Sequence, residues 1–357
     1  MYSKFWPKGG LPGILHHYTE SLVTFEFTSS TIRKPHSLVF IGGLGEGLGS
    51  TSYMADLVRA LHPTDWSIFT VNISSSHQSW GLGHLDRDTD EIAQCLNYVR
   101  DYKASKHGGV AGKLVLMGHS TGSQHVLHYL SRPNPHAAAA PAFDPDLQHV
   151  RRPALDGAIM QAPVSDREAM QLVVHHGWLG KTPAQTRRVF DELVAIAEEA
   201  TKDDQACDFL LPLEKTSAIG YQNTPLSARR FLSLVSPESP QAPREDDLFS
   251  SDLGDEQLKK TFGMVRERQL SGYGLMVLVS GADQAVPDWV DKEKLMARWK
   301  KATDHDGEAE IWDEEFSGII PNASHALSND DQAECRKDLC ERVMGYLFKV
   351  RWHEVSV

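Results

Sequence analysis

Short runs of apolar and β-branched residues recur along this chain, and the segments between them show the apolar spacing of amphipathic helices. Short continuous apolar runs are typical of strands buried on both faces, and their alternation with helices is typical of a mostly parallel sheet. The pattern therefore predicts a doubly wound α/β core with helices on both sides of the sheet. The predicted strands cover residues 22–27, 38–41, 67–71, 114–117, 158–160, 276–279 and 310–312. The predicted crossover helices cover residues 51–61, 89–103, 122–130, 289–300 and 331–348.

Two segments interrupt this alternation. Between about residues 164 and 269 the spacing favours helices and requires no strand. We therefore expect residues 1–163 and 270–357 to form the core and residues 164–269 to form a helical cap inserted in it. Residues 131–153 are rich in proline and alanine, which predicts a surface excursion. The predicted helices of the cap cover residues 183–200, 226–235 and 256–268.

The composition limits what the protein binds. Asp and Glu total 48 against 36 Lys and Arg, and a net charge of −12 argues against a nucleic-acid surface, because phosphates favour a basic face. Acidic residues crowd the stretch from Glu238 to Glu256, which we expect to be a solvated loop. The chain has no long apolar run typical of a membrane span, and its four cysteines are widely scattered. We therefore expect a cytoplasmic protein with free thiols and no membrane or nucleic-acid partner, while its oligomeric state stays open.

The segment around Ser120 has the form of a strand, a sharp turn and a helix. The buried run over residues 114–117 leads into Gly118-His-Ser-Thr-Gly122, and an amphipathic helix follows. In this context G-x-S-x-G is typical of the nucleophile elbow of the α/β-hydrolase fold, where a strained serine projects its hydroxyl above the sheet. The sequence thus predicts an α/β-hydrolase fold with Ser120 as nucleophile; the alternative is a glycine-rich structural turn.

In that fold an acid follows the serine along the chain, at the end of a later strand. Asp283 comes just after the strand predicted over residues 276–279, where its carboxylate can accept an imidazole N–H. We predict that Asp283 is the acid. Asp166 stays open as a competitor, although an Asp beside Ser165 is readily explained by the start of a helix.

The general base must be a histidine that follows the acid and lies on a loop before the final helix. Among the 17 histidines, His305 comes too early and His353 follows that helix, whereas His325 lies on the required loop. We therefore predict Ser120, Asp283 and His325 as the catalytic residues.

The tetrahedral intermediate of acyl transfer needs backbone N–H donors for its oxyanion. Thr121, directly after the serine, is the first predicted donor, and Leu44 or the adjacent Gly45 is the second. The glycine-rich loop that contains Leu44 also resembles a phosphate-binding loop, but it lacks a G-K-[ST] ending and a convincing dinucleotide fingerprint. We expect neither a cofactor nor a metal.

The loop after the third core strand should open on the same edge of the sheet as Ser120. Its aromatic side chains are candidates for the substrate pocket; alternatively, Asp86 and Asp88 simply cap the helix that follows. The candidate substrate-binding residues are His77, Trp80 and His84, together with His119 beside the serine.

Three segments resemble one fungal family of α/β hydrolases: Leu116-Met-Gly-His-Ser-Thr-Gly-Ser-Gln, the Ser74-Ser-Ser loop ending in Leu85-Asp-Arg-Asp, and Gly42-Gly-Leu-Gly. That family includes intracellular siderophore esterases that hydrolyse fusarinine-type siderophores. The resemblance implies a small-molecule substrate, an ester-linked hydroxamate such as fusarinine C or triacetylfusarinine C.

The residues by themselves predict ester or related acyl hydrolysis through an acyl-enzyme. An acyltransferase or a peptidase would use the same three side chains. A non-catalytic ligand-binding protein of the same fold also stays open, because fold alone does not fix function.

Overall fold

The computed structural model describes residues 3–29, 31–137, 139–202 and 208–353. Eight strands form one sheet: β1 Ile14–His17, β2 Val23–Phe27, β3 His36–Ile41, β4 Trp66–Val71, β5 Leu114–His119, β6 Gly157–Gln161, β7 Leu275–Ser280 and β8 Gly318–Ile320. Their order in the sheet is β1-β2-β4-β3-β5-β6-β7-β8. β2 pairs antiparallel with β1 and with β4, and all the other pairs are parallel.

Helices cover both faces of this sheet, as the alternating pattern predicts. Successive residues of β3 point to opposite faces: Val39 packs in one apolar cluster with Leu96 and Val126, and Leu38 packs in another with Leu57. The doubly wound α/β prediction is therefore confirmed. The helices are α1 Met54–Leu61, α2 Leu85–Lys106, α3 Thr121–Ser131, α4 Asp166–His176, α5 Pro183–Ala200, α6 Leu213–Ser217, α7 Ala228–Val235, α8 Asp255–Lys260, α9 Met264–Arg268, α10 Lys292–Thr303 and α11 Ala333–Trp352.

The strand predicted over residues 310–312 is wrong. Only an isolated bridge between Trp312 and Leu275 forms there, and the last strand is β8. The Asp304 carboxylate accepts the N–H groups of Ile311 and Trp312 at 2.9 and 2.8 Å. Because a side chain takes these two donors, they are not available to a sheet ladder. The edge strand β1 was not predicted.

Helices α4 to α9 lie between β6 and β7, where the sequence predicts a cap. The helix predicted over residues 256–268 is in fact two, since Thr261, with φ −118° and ψ −82°, ends α8 before α9 begins. Side chains of α4, α5 and α7 form a third apolar cluster, against which Leu44 of the core packs. The division of the chain into core and cap stays a prediction.

The acidic stretch from Glu238 to Glu256 is not fully solvated, contrary to the prediction. Asp246 and Asp247 are buried, with 1% and 4% of their surface exposed. Arg230 donates from Nη1 to both oxygens of Asp246 at 2.6 and 2.7 Å, and Arg167 lies 3.3 Å from Asp247. Two buried arginines therefore draw the middle of this stretch inward, a long-range pairing that the local composition does not indicate.

None of the helices in the described ranges combines the length and the apolar character that crossing a membrane requires.

A buried ion pair joins the sheet to α2. Lys103 Nζ lies 2.6 Å from Glu26 Oε1, and both side chains are almost fully buried. Burial by itself would raise the pKa of Glu26, but the hydrogen bond with His16 and the Lys103 ammonium outweigh it and lower the pKa to about 2.

We predict that Glu26→Gln lowers the free energy of unfolding by about 3–5 kcal/mol, because it leaves the Lys103 ammonium buried without a counter-charge. Urea unfolding at neutral pH measures this change. Glu199→Gln, which breaks the exposed pair with Lys202, is the control and should have no measurable effect. Equal small effects of the two substitutions would contradict the prediction.

Candidate active site

Ser120 occupies the turn between β5 and α3, with φ 55° and ψ −120°. A positive φ is unfavourable for a residue with a side chain, and surrounding contacts must hold it. The Ser120 N–H donates to the carbonyl of Gln161 at 2.9 Å, and the Ser120 carbonyl accepts the N–H of Ser123 at 2.8 Å. The turn directs the hydroxyl away from the strand at the carboxyl edge of the sheet.

Glycines allow three pieces of backbone to meet at this turn. A Cβ on Gly118 would lie 1.9 Å from the carbonyl oxygen of Gly122, and one on Gly122 would lie 2.4 Å from that of Ile41. A Cβ on Gly43, in the loop after β3, would lie 2.8 Å from the Cβ of Ser120. Larger residues at any of these positions would displace the elbow.

His325 lies between Ser120 and Asp283. Its Nε2 is 2.8 Å from Ser120 Oγ, and its Nδ1 is 2.8 Å from Asp283 Oδ2. The other oxygen of Asp283 accepts the N–H of Ala285 at 2.9 Å, and the side chain of Gln284 accepts the N–H of His325 at 3.0 Å. Only 1% of the Asp283 side chain is exposed, against 17% for His325. The Asp283 carboxylate is therefore held in place and shielded from solvent, whereas the His325 imidazole is accessible to a ligand.

Asp166, the competing acid, does not contact the imidazole. It is the first residue of α4, where Ser165 is the cap, and its Oδ2 accepts a hydrogen bond from Gln124 at 2.7 Å. Burial, together with the Asp246 carboxylate, raises the pKa of Asp166 to about 6. The structure therefore brings Asp283, and not Asp166, to His325.

His119 lies behind His325, with ring centroids 5.2 Å apart, and is only 2% exposed. Its Nδ1 is 2.5 Å from the side-chain oxygen of Gln161, to which the Tyr53 hydroxyl also donates at 2.9 Å. Burial lowers the pKa of His119, which favours the neutral ring. His119 is therefore better placed to support the His325 ring than to contact a ligand directly.

Glu46 organises the loop that was predicted to supply an oxyanion donor. Its carboxylate accepts the N–H of Gly43 at 2.9 Å and the hydroxyl of Thr51 at 2.6 Å. The Gly43 N–H is thus engaged, and the roles of Leu44 and of Gly45, whose φ is +77°, as oxyanion donors stay predictions. Thr121 begins α3, and the first N–H groups of a helix have no acceptor within it.

The three aromatic residues of the loop after β4 occupy different surroundings. Trp80 is buried against Tyr221, with ring centroids 5.4 Å apart. His77 has φ 56° and packs its ring against Gly47, where a Cβ would lie 2.2 Å from Nε2.

His84 accepts the N–H of Arg87 and is therefore the N-terminal cap of α2. The alternative that Asp86 and Asp88 cap this helix is wrong, because both lie within its first turn.

Trp80 lines a small cavity together with Leu44 and Thr121. The substrate-binding role of His77, Trp80 and His84 stays a prediction.

The sequence reasoning missed Glu46, Gln161 and Tyr53. Gln161 ends β6 on the same edge as Ser120, which is the signal that could have identified it. Glu46 is visible only as a charged residue within a glycine-rich loop, and Tyr53 has no distinguishing pattern.

This elbow, at the carboxyl edge of a doubly wound sheet, places the protein among the α/β hydrolases. Est1E from Butyrivibrio proteoclasticus, solved with bound ferulic acid, has the same fold, with a TM-score of 0.50, 11% identity and coverage of 94% of this chain and 98% of that one. The predicted α/β-hydrolase fold is confirmed.

The chain belongs to the family described as "Protein of unknown function (DUF1749)", whose sequence profile matches residues 4–348. A relative from Aspergillus fumigatus named "Fusarinine C esterase sidJ" is 69% identical over 350 residues, which cover 97% of this chain and 98% of that protein. "Esterase AN6793" from Emericella nidulans is 49% identical, with 96% and 94% covered. The structure titled "Siderophore hydrolase EstB from Aspergillus fumigatus" is 62% identical, with a TM-score of 0.83 and 97% and 100% covered. The resemblance to a fungal family that includes siderophore esterases is confirmed.

We predict that Gly43→Ala lowers kcat/KM for a p-nitrophenyl ester by about 100-fold, because the added methyl group displaces the Ser120 side chain from His325. Gly254→Ala is the matched control, since a Cβ there meets nothing within 4 Å. Wild-type kinetics in the folded Gly43→Ala variant would mean that this close approach does not position the serine.

Proposed function

We propose that this protein is a serine esterase that hydrolyses ester bonds of a fusarinine-type hydroxamate siderophore inside the cell. The observation that carries the proposal is the continuous chain of contacts from Ser120 Oγ through His325 to Asp283, with 2.8 Å at each step. Such a chain is the requirement for activating a serine hydroxyl, whose own acidity is far too weak at neutral pH.

In the first half of the reaction Ser120 Oγ attacks the ester carbonyl, and its proton passes to His325 Nε2. The buried Asp283 carboxylate stabilises the imidazolium that forms and holds Nδ1–H toward itself. The negative charge on the former carbonyl oxygen is stabilised by the backbone N–H groups of Thr121 and Leu44. His325 then protonates the departing alcohol, and the acyl group remains on Ser120.

In the second half a water molecule takes the place of the alcohol. His325 removes its proton, the resulting hydroxide attacks the acyl carbonyl, and Ser120 leaves with the proton returned by the imidazole. The reaction consumes one water for each ester bond, and it releases a carboxylic acid and an alcohol.

The choice of substrate is supported by the names of the relatives. The proteins named fusarinine C esterase and siderophore hydrolase are 69% and 62% identical to this chain and are matched over nearly their full lengths. Fusarinine C carries free amines, and a net charge of −12 favours the approach of such a cation.

We further propose that residues 164–269 act as a cap that shapes the approach to Ser120. Leu44, the proposed oxyanion donor, packs against the apolar cluster of helices α4, α5 and α7. Gln124 of α3 donates to Asp166 at 2.7 Å and to the carbonyl of Asp246 at 2.8 Å, which joins the elbow helix to the start of this segment and to its acidic stretch. A movement of the cap would therefore displace Leu44 and the elbow helix directly.

We expect Ser120→Ala and His325→Ala each to reduce hydrolysis of fusarinine C by roughly 10⁴-fold or more, because attack by the hydroxyl requires the imidazole to remove its proton. Mass spectrometry of the linear products measures the rate. Ser21→Ala and His62→Ala, both at exposed positions, serve as controls and should match the wild type. An unchanged rate in either active-site variant would refute the mechanism. Cleavage of a p-nitrophenyl ester without cleavage of fusarinine C would refute only the substrate.

Asp283→Asn should lower kcat by about 10⁴-fold, because an amide no longer stabilises the imidazolium. Asp166→Asn keeps an oxygen for Gln124 and should lower kcat less than tenfold. Steady-state kinetics of the two isosteric variants distinguish the acids. The reverse order of the two losses would assign the role to Asp166.

A further inference from the structure

A small cavity lies beside the proposed oxyanion donors. Its lining includes Thr121 and Leu44, together with His125 of α3 and Arg230 of α7. About 20 Å³ of it is open to water, which is room for one molecule and too little for a substrate group. The elbow helix, the loop after β3 and a helix of the proposed cap therefore meet around one small space.

Three polar atoms of the residues around this cavity lack a hydrogen-bond partner among the described residues: Thr121 Oγ1, His125 Nδ1 and Arg230 Nε. Thr121 and His125 are 4% exposed and Arg230 is 2% exposed, so bulk solvent does not satisfy these atoms. Thr121 and His125 are one helical turn apart, which places their side chains on the same face of α3. Buried polar atoms without partners are rare in proteins and usually mark a bound water, ion or ligand.

Asp88 of α2 determines which nitrogen of His125 carries a proton. Its Oδ2 lies 2.9 Å from His125 Nε2, and its Oδ1 accepts the Ser75 hydroxyl at 2.6 Å. Burial by itself would raise the pKa of Asp88, but the hydrogen bond with His125 outweighs it and lowers the pKa, so the carboxylate is ionised. Because a carboxylate only accepts hydrogen bonds, Nε2 is the protonated nitrogen, and Nδ1 of the neutral ring is an acceptor.

The three unpartnered atoms match the hydrogen-bonding capacity of a water molecule. Arg230 Nε–H is a donor, His125 Nδ1 is an acceptor, and the Thr121 hydroxyl is either. One water therefore accepts from Arg230 and donates to His125 and Thr121, the three bonds that are typical of a buried water. A cation fits poorly beside the permanently charged guanidinium of Arg230, and an anion fits poorly beside the carboxylates of Asp88 and Glu46, which line the same cavity.

We propose that one buried water molecule bonds to Thr121, His125 and Arg230 and thereby fixes the first turn of α3, where the Thr121 N–H points at the oxyanion. His125 is then a positioning residue, which Asp88 orients and which acts on the reaction only through the water and Thr121. This role rests on the proposed function, because Thr121 is an oxyanion donor only if the protein is an esterase. Since Arg230 also pairs with Asp246 at 2.6 Å, the same water connects the oxyanion donor to the proposed cap.

A crystal structure of the full-length protein, at a resolution that shows ordered water, tests the site itself. We expect one water within about 3.2 Å of Thr121 Oγ1, His125 Nδ1 and Arg230 Nε. A cavity without density for a water would overturn the proposal.

Kinetics of His125 variants test the positioning role. His125→Gln keeps an N–H toward Asp88 but removes the acceptor at Nδ1, and it should lower kcat for a p-nitrophenyl ester about tenfold while KM changes less than twofold. The loss is smaller than the roughly 100-fold or greater loss of an oxyanion donor itself, because the Thr121 N–H is still present. His125→Asn places an oxygen near the former Nδ1 and should lose less than His125→Gln. His62→Gln, at an exposed position, is the control and should match the wild type.

A trifluoromethyl ketone separates positioning from folding. Ser120 adds to its carbonyl carbon, and the carbonyl oxygen becomes an oxyanion in the same place as in the reaction. Its inhibition constant should rise about tenfold in His125→Gln, whereas a merely structural defect would lower the number of active sites and leave this constant unchanged. If circular dichroism shows that the His125 variants do not fold, Thr121→Val decides, since it removes the hydroxyl, keeps the shape and should weaken the ketone by a similar factor.

An unchanged inhibition constant in folded His125→Gln, or in Thr121→Val where the His125 variants do not fold, would overturn the positioning role. A wild type that contains the water but neither hydrolyses the ester nor binds the ketone would overturn the proposed function, and the positioning role with it, although the water site itself would stand.

Discussion

Ser120 adopts a positive φ at the point where β5 turns into α3, and this conformation costs on the order of 1–3 kcal/mol. The fold holds it because the Gln161 carbonyl accepts its N–H and because glycines let the neighbouring backbones approach it closely. Only in this conformation does the hydroxyl leave the plane of the sheet and come within 2.8 Å of an imidazole that follows 205 residues later. The site therefore depends on backbone packing at the elbow before it depends on any catalytic side chain.

Buried polar contacts around this elbow hold His325 and the loop of Leu44 in position. Tyr53 and Gln161 hold His119 beneath His325, and Glu46 and Thr51 hold the loop that carries Leu44. Buried networks of this kind rigidify a site only when their members are satisfied, and a loose supporting contact costs positioning at the reacting atoms. Residues of the proposed cap join the same network, because Gln124 donates to Asp166 and Leu44 packs against helices α4, α5 and α7; these contacts are the basis of our proposal that the cap shapes the approach to Ser120.

Much of this arrangement could be predicted because it follows from local pattern and chain order. The parallel core is visible in short apolar runs, and the elbow in a motif that needs a strand before it and a helix after it. Asp283 and His325 were predicted from their order along the chain, on loops that come after the elbow. The errors concern contacts between distant residues. Asp304 removes residues 310–312 from the sheet, and Arg230 draws Asp246 out of solvent, although each segment alone favours the opposite outcome. The support from Gln161 and Glu46 likewise depends on which side chains the fold brings together.

The most direct test of the account is covalent labelling of the native protein with a fluorophosphonate probe, followed by peptide mapping. The probe requires a hydroxyl made nucleophilic by its neighbours, so it reports the contact between Ser120 and His325 independently of any substrate. We expect one label per chain, located on Ser120, and labelling that is slowed at least 100-fold in His325→Ala. A protein that stays unlabelled, or that carries the label on another residue, would contradict the central claim.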